Sequence, residues 1–472
     1  MRSFAYQKQR PVAVSQTETP SPSLSPTERR AAAGLAAIFS TRMLGLFMIL
    51  PVFALYAHEL AGATPLMVGL AIGAYGLTQA LLQIPLGLLS DRIGRKPVIL
   101  GGLLLFAVGS VVAALADDIH WVIIGRVLQG SGAIAAAIIA LTADLTREEV
   151  RTKGMAAIGI SVALSFAAAL VLGPVLARWI GVSGIFWVTA ALAVAGMVLL
   201  YTLVPDPERS QLHRDAQPAL DQLRGVLADP TLVRLDLAIF MLHLTMVSLF
   251  VVLPLSVEAA GLEAVSHWRL YLPVVLLAIP AMVPFIVLAE RRGRAREVLL
   301  GSVIALGTAL LGFALFGQSL WVLGALLVVV FTIFNLLEAV LPSLVSKRAR
   351  AGAKGTAMGV FSSAQFVGAF LGGVLGGWAH ERFGPDAVYL VGVLVSLAWV
   401  ALLTGMRMPE DLGRRVLTLA PGAGDAAALE RRLLAEPGVR EVVVALDEGV
   451  AYLKVDSRRL DWARLQTLSA GA

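Results

Sequence analysis

The chain has 472 residues, of which 58% are hydrophobic and only 15% charged, with a net charge of +6; its mean hydropathy is +0.81. A soluble domain carries about 25% charged residues, so this composition excludes an ordinary water-soluble globule and points to a surface that meets lipid. The absence of cysteine excludes disulfides, thiolate metal sites and thiol redox switching.

The basic excess gathers at the ends of apolar runs, as membrane orientation requires; it is read as a topology signal, with no nucleic-acid partner. Residues 1–30 are rich in Ser, Thr, Pro and Gln and lack the apolar core of a signal peptide. They are expected to form a disordered cytoplasmic tail. Twelve stretches then have the length and apolarity to cross a membrane: Ala31–Ala57, Met67–Leu89, Val98–Ala116, Trp121–Ala143, Gly154–Trp179, Ile185–Val204, Leu235–Val257, Leu270–Ala289, Val298–Phe316, Trp321–Val345, Thr356–Ala379 and Ala387–Met406. The even-numbered connections hold the bases: Arg92, Arg95 and Lys96; Arg147, Arg151 and Lys153; Arg209, Arg214 and Arg224; Arg291, Arg292, Arg294 and Arg296; Lys347, Arg348, Arg350 and Lys354. The odd-numbered ones offer only Arg178, Arg269 and Arg382. The even-numbered loops and both termini are therefore expected in the cytoplasm.

A central cytoplasmic loop, 205–234, divides the spans into an N-terminal half, 31–204, and a C-terminal half, 235–408. Each half has a charged turn after its second span, "GLLSDRIGRKP" from Gly87 and "AERRGRAR" from Ala289. Such a repeat marks transporters built from duplicated halves, with the substrate between them near the midplane.

After a linker, 409–415, the pattern changes. "VLTLA", "VREVVVAL" and "VAYLKV" read as strands, "DAAALERRLLAEPG" and "LDWARLQTL" as helices, and Asp447-Glu448-Gly449 as a hairpin turn. Val442 and Val444 lie on one packed face. The expected fold is thus an all-α polytopic membrane protein of twelve transmembrane helices in two six-helix halves, plus a small α+β ferredoxin-like cytoplasmic domain at 416–472 with one strand missing or short. That domain lacks the cysteine pair of metal carriers, so no metal is expected. Sensing of a cytoplasmic ligand and docking of a partner both remain open.

In the first charged turn, Gly87 and Gly94 permit close packing and a tight turn. Arg92, Arg95 and Lys96 hold the loop inside. Asp91 adds nothing to orientation and needs a partner; Arg95 and the N-terminus of another span are available. Helix capping by Asp91 and Asp144 is the plainer alternative. Ionisable groups at membrane depth cost ~2.5–3.5 kcal/mol on insertion scales and are functional suspects. Here they are Arg42, Arg126, Asp236, His243 and Glu338. Glu338, the carboxylate deepest in any span, is a candidate for proton coupling or for contact with a cationic substrate group, against a structural pair with Asn335 or a neighbouring helix. Arg126 and Arg42 are candidates for a proton or anion site, against helix packing. Gln79, Gln83, Gln129, Asn335 and Gln365 either line a polar cavity or hold helices together. Phe47, Met48 and Phe53 around Pro51 suit either a greasy cavity or lipid.

"GLLSDRIGRKP" resembles the loop signature of the major facilitator superfamily at Gly87, Leu89, Ser90, Asp91, Arg92, Gly94, Arg95 and Lys96. "RVLQGSGAIAAA" resembles its second signature at Arg126, Gln129, Gly130, Gly132 and Ala133. "FNLLEAVLPSLVSK", "KGTAMGVFSSAQFVGAFLGG" and the C-terminal domain are similar to the YajR-like branch, drug:proton antiporter-type transporters with a ferredoxin-like cytoplasmic domain. The resemblance implies that Asp91, Arg95, Asp144 and the helix start at Gly355-Thr356 latch the outward-facing state. The antiporter signature of span five is partly met: Gly159, Gly173 and Pro174 are present, but Ala177-Arg178 replaces the expected glycines. Gly130, Gly132, Gly173 and Pro174 are expected to serve helix packing.

The function implied is proton-driven secondary transport by alternating access in a bacterial inner membrane, exporting a small organic compound by antiport. Its partners would be that substrate, protons and membrane lipid. Proton symport of a metabolite and a non-transporting receptor are the rivals. No nucleophile–base set, metal-ligand cluster or phosphate-binding lysine loop is visible, so no enzyme and no cofactor is expected.

Overall fold

The structure is a computed structural model, and the residues described are 23–206, 219–290, 292–349, 353–406, 413–419, 425–445, 450–455, 460 and 465. Arg209, Arg214, Arg291, Arg350, the Asp447–Gly449 turn and most of the expected last helix fall outside them.

Helix α1 spans Pro26–Phe47. The Ser25 hydroxyl accepts from the Glu28 N–H at 3.2 Å, and the Glu28 carboxylate accepts from the Ser25 N–H at 2.8 Å. This capping box corrects the expected tail, whose last residues are helical; "SPTE" was its signal. Glu28 also accepts from Arg147 Nε at 2.9 Å, which ties the start of α1 to the residue that precedes the fifth span.

The first span is not one continuous helix. It stops at Phe47, passes through Pro51 and resumes as α2, Phe53–Tyr56. Proline has no N–H to continue the ladder. Gly173 backs this break, where a Cβ would lie 2.6 Å from the Met48 carbonyl and 2.9 Å from Pro51. Helices α3 (Pro65–Ile93) and α4 (Arg95–Ala114) are separated by Gly94 alone. The fourth span is likewise broken, into α5 (Ile119–Ser131) and α6 (Ala135–Asp144). Spans five and six form one run, α7, from Glu148 to Thr202, interrupted by Gly181 at φ 66°.

The central stretch, expected as a loop, contains α8, Ala219–Leu227. The second half follows as α9 (Pro230–Ala259), α10 (Trp268–Glu290), α11 (Ala295–Phe316), α12 (Leu320–Arg348), α13 (Lys354–Phe383) and α14 (Pro385–Thr404). Ten described helices have the length and apolarity of membrane spans. One of these, Lys153–Thr202, is 50 residues long and supplies two crossings on either side of Gly181. With α1–α2, whose break shortens its apolar run, the count reaches twelve.

The halves meet along an antiparallel seam of α3 and α13. A Cβ at Gly69 would overlap the Gly373 carbonyl; at Gly73 it would lie 2.7 Å from the Phe370 carbonyl, and at Gly76 2.5 Å from the Phe366 carbonyl. Toward the basic loops the seam widens, and a Cβ on Gly359 would find Ile84 only at 3.8 Å. The halves are thus closed on the face away from the basic loops. On its other side α13 presents Gly368, Gly372 and Gly376 to the backbone of α9 at Phe240, Leu244 and Ser248. Small residues four apart let helices approach to backbone contact.

The C-terminal unit consists of β1 (Gly413–Thr418), α15 (Ala426–Leu434), β2 (Val439–Ala445) and β3 (Val450–Val455) in sheet order β1-β3-β2. Both outer strands run antiparallel to β3. They are therefore parallel to each other around an inserted strand, the split β-α-β arrangement expected. Leu429 and Leu433 of α15 pack on Val442, Leu453 and Val455, whereas Val443 and Tyr452 face out.

Candidate functional site

The basic turn is built as a charge cluster within the first half. Arg95 pairs with Asp91 and donates from Nε to Asp144 at 3.3 Å; its Nη1 also donates to the Ser90 hydroxyl at 2.7 Å. Lys96 bridges Asp206 and the Val204 carbonyl, both at 2.7 Å. Arg92 is exposed. Gly87 packs on α6, where an added Cβ would come 3.1 Å from Ala136. Gly94 has φ 101°, ψ 153°, a region essentially reserved for glycine. Gly94→Ala is expected to destabilise the protein by about 1–3 kcal/mol, read as a lower midpoint in thermal unfolding in detergent. Among the described residues Asp91 is paired only on its own side. The start of α13 is engaged elsewhere, with the Thr356 hydroxyl donating to Gln222 of α8 at 2.9 Å.

At mid-depth the second half assembles three residues from three helices. His243 Nε2 lies 3.3 Å from Glu338 Oε1. Gln365 Nε2 lies 2.9 Å from His243 Nε2 and 3.5 Å from Glu338 Oε1. His243 Nδ1 sits 3.2 Å from the Ile239 carbonyl. A carbonyl only accepts, so Nδ1 carries hydrogen and a neutral ring leaves Nε2 as an acceptor. A neutral imidazole and an ionised carboxylate would then face each other with lone pairs. One exchangeable proton, on the ring or on the carboxyl, resolves this. The Glu338 side chain is 34% exposed and that of His243 14%, so the cluster is reachable from the open side. Asn335 is not part of it; its amide donates to the Phe331 carbonyl of its own helix at 2.7 Å.

Beside the cluster an aromatic contact joins the halves. The Phe334 ring meets His243 at 5.7 Å and Phe166 of α7 at 5.6 Å, and Phe166 meets Phe47 of α1 at 5.1 Å. Met48 and Phe53 are buried in the protein core at 1% exposure, so neither meets lipid.

The arginines of the first half stand apart from this cluster. Arg42 is fully buried and donates to Gln79 at 2.8 Å and to the Gly132 carbonyl at 2.9 Å. That carbonyl lies at the break between α5 and α6, where a freed backbone group needs a donor. Arg126 donates to the carbonyls of Ala71 and Ile72 at 3.2 Å each and to Gln129 at 2.9 Å. Gln79 continues to Gln83 at 3.2 Å, and Gln129 to Ser110 at 2.8 Å. The ring of Tyr75 lies between the two guanidinium groups, 5.7 Å from Arg42 and 5.4 Å from Arg126. Gln79 and Gln129 hold the arginines, and Gln83 backs Gln79. Gly130 packs against the Tyr75 carbonyl and Gly132 against that of Gly102, while Pro174 lies within α7 beside Gly173.

Asp236 sits on α9 seven residues before His243, two turns away on the same face. It is 7% exposed, and neither carboxyl oxygen has a hydrogen-bond partner among the described residues. Sequence reasoning missed the glycines of α13, although "GAFLGGVLGG" carries the four-residue spacing, and it missed Glu381, discussed below. Among the described residues no cluster of metal-ligating side chains occurs.

A model of the Major Facilitator Superfamily matches residues 35–373 and 274–425, and one of the YajR YAM domain matches 418–466. The inner membrane transport protein YajR of Escherichia coli is 45% identical over 92% of this chain and 96% of its own. The multidrug resistance protein MdtH of Aeromonas salmonicida is 27% identical over 72% of this chain and 85% of its own. Among solved structures, the human organic anion transporter MFSD10 superposes with a TM-score of 0.60 at 21% identity, covering 80% of this chain and all of that one; this likeness speaks to the fold alone. Twelve spans in two halves, the charged turn after the second span, the split β-α-β unit and these matches agree: the chain belongs to the Major Facilitator Superfamily, a family of transporters, and carries a YajR-type YAM domain at its C-terminus.

Proposed function

We propose that the protein is a proton-coupled exporter of a small organic compound, working by alternating access in the inner membrane with its basic loops in the cytoplasm. The observation that carries this reading is the His243–Glu338–Gln365 cluster, whose geometry suits one mobile proton. A carboxylate and an imidazole at membrane depth are the usual elements of proton relays. The Gln365 amide can turn either its nitrogen or its oxygen to the pair, and so serves both protonation states. Asp236, nearer the basic end on the same helix face, is positioned as the next station toward the cytoplasm. The Phe47, Phe166 and Phe334 rings beside the pair give an apolar wall from both halves, suited to a hydrophobic substrate bearing a positive charge.

The cytoplasmic placement of the basic loops follows from their charge asymmetry. Export is supported by the similarity to MdtH, a protein named for multidrug resistance. Within this reading the Asp91–Arg95–Asp144 cluster is one half of a cytoplasmic latch. It is preassembled in the first half and engages the start of α13 when the cytoplasmic side closes.

The test is proton flux in liposomes of known protein orientation under an imposed pH gradient, with a panel of organic cations, neutral drugs and metabolites. Compound-dependent proton movement opposite to compound movement is expected. Movement in the same direction would replace antiport with symport, and compound movement without any proton flux would overturn the coupling.

A further inference from the structure

The outward end of α13 repeats the pattern of the inward end of α3. Helix α3 finishes with Asp91-Arg92-Ile93-Gly94, and α13 with Glu381-Arg382-Phe383-Gly384. In each the order is acid, arginine, apolar residue, glycine, with the acid two residues before the last helical one. The closing glycines share an unusual backbone, φ 101°, ψ 153° at Gly94 and φ 89°, ψ 175° at Gly384, and each is followed at once by the next helix. The two helices run antiparallel along the seam, so each acid lies level with the start of the opposite helix.

At the outer end this contact is made. A Glu381 carboxylate oxygen accepts from the backbone N–H of Leu66, in the first turn of α3, at 2.9 Å. The Thr64 hydroxyl, which accepts from the Met67 N–H, lies beside the Glu381 carboxylate. A residue of the second half thus caps the first turn of a helix in the first half, where free N–H groups and the helix dipole favour a negative charge. Immediately below, Gly377 packs on the backbone of Pro65 and Leu66, and Gly373 on that of Gly69 and Gly73. A cap that crosses the two halves exists only while this face is closed. Asp91, its counterpart at the other end, is held by Arg95 within its own half, on the face where the seam is wide.

We propose that Glu381 is a positioning residue of the transport cycle: an outer latch that closes the external face by capping α3, reciprocal to Asp91 at the internal face. The two acids are made and broken in alternation, so the relative strength of two helix caps sets which face is shut at rest. This goes beyond proton coupling, and its test uses neither substrate nor proton gradient.

The chain has no cysteine, so a single one can report on the seam. Ala369 faces Gly76 across it, with its Cβ 3.5 Å from a Cβ placed there. Ala369→Cys would be labelled in intact cells with a membrane-impermeant maleimide, which reaches it only when the outer face opens. Adding Glu381→Ala is expected to raise the labelling rate roughly threefold to tenfold, the shift that loss of a charged cap produces. Glu381→Gln, which keeps an acceptor but not the charge, is expected to give a smaller rise. Glu59→Ala, which removes another exposed acid from the same face, should leave the rate unchanged. An unchanged rate in Glu381→Ala, or an equal rise in Glu59→Ala, would overturn the latch. Failure of proton coupling in the liposome test would not touch this result.

Discussion

Glu338→Gln is expected to abolish compound-driven proton movement and to lower concentrative transport at least about tenfold, which corresponds to ~1.4 kcal/mol of coupling. The substitution preserves shape and hydrogen-bonding capacity toward Gln365 and His243. It removes only the ability to take up and release a proton. Passive exchange of labelled for unlabelled compound across the membrane is therefore expected to persist, because alternation of the two faces depends on the α3–α13 seam and not on the carboxyl. Loss of exchange as well would mean that Glu338 holds the substrate itself. Full retention of proton coupling would place the mobile proton elsewhere, with Asp236 the next residue to test. His243→Gln should weaken coupling less than Glu338→Gln, since the carboxyl still titrates but loses the imidazole 3.3 Å away.

The second large effect separates two neighbouring glycines. Gly373 faces α3 across the halves, whereas Gly372 faces the Leu244 backbone of α9 within one half. Gly373→Leu should leave each half folded and its unfolding midpoint close to that of the wild type, but hold the halves apart on the outer face. Transport is expected to drop below roughly a tenth, since overpacking of this kind costs ~1–3 kcal/mol or more against the closed state. Gly372→Leu should instead lower stability, because α13 and α9 cannot separate without disrupting the half they belong to. Transport and thermal unfolding, measured side by side on both variants, check this. Equal effects on stability in the two would show that the seam is part of the folded core rather than a moving contact.

Much of this architecture was legible in the sequence, for identifiable reasons. Apolar length located the spans, and the acid, bases and glycines of Gly87–Pro97 located the turn between α3 and α4. Alternation at Val442 and Val444 located the packed face of the small sheet. Hydropathy cannot show where a helix breaks inside an apolar run, so the interruptions at Pro51 and at Gly132 were absent from the expected spans. It also trims charged helix ends. The last turn of α13 carries His380, Glu381 and Arg382, so the span expected from hydropathy ends at Ala379 and stops short of Glu381. Helix α8 was missed because nine residues with a narrow apolar stripe read as polar linker.

The functional cluster was legible only in parts. Glu338 and His243 each stood out as ionisable groups at membrane depth, but they lie on α12 and α9, and no local spacing links them. Arg42 and Arg126 stood out for the same reason; each donates to backbone carbonyls and to a glutamine, while Nε and Nη1 of Arg42 have no hydrogen-bond partner among the described residues. Depth alone marks a group as costly; its partners decide what it does.

The most direct test of the central claim is proton release on binding. Purified protein in weakly buffered detergent, with a pH-sensitive dye, would be titrated with a transported compound. Release of roughly one proton per bound molecule is expected in the wild type and none in Glu338→Gln, since the proton that binding displaces is the one held between His243 and Glu338. Equal release from both proteins would contradict that claim.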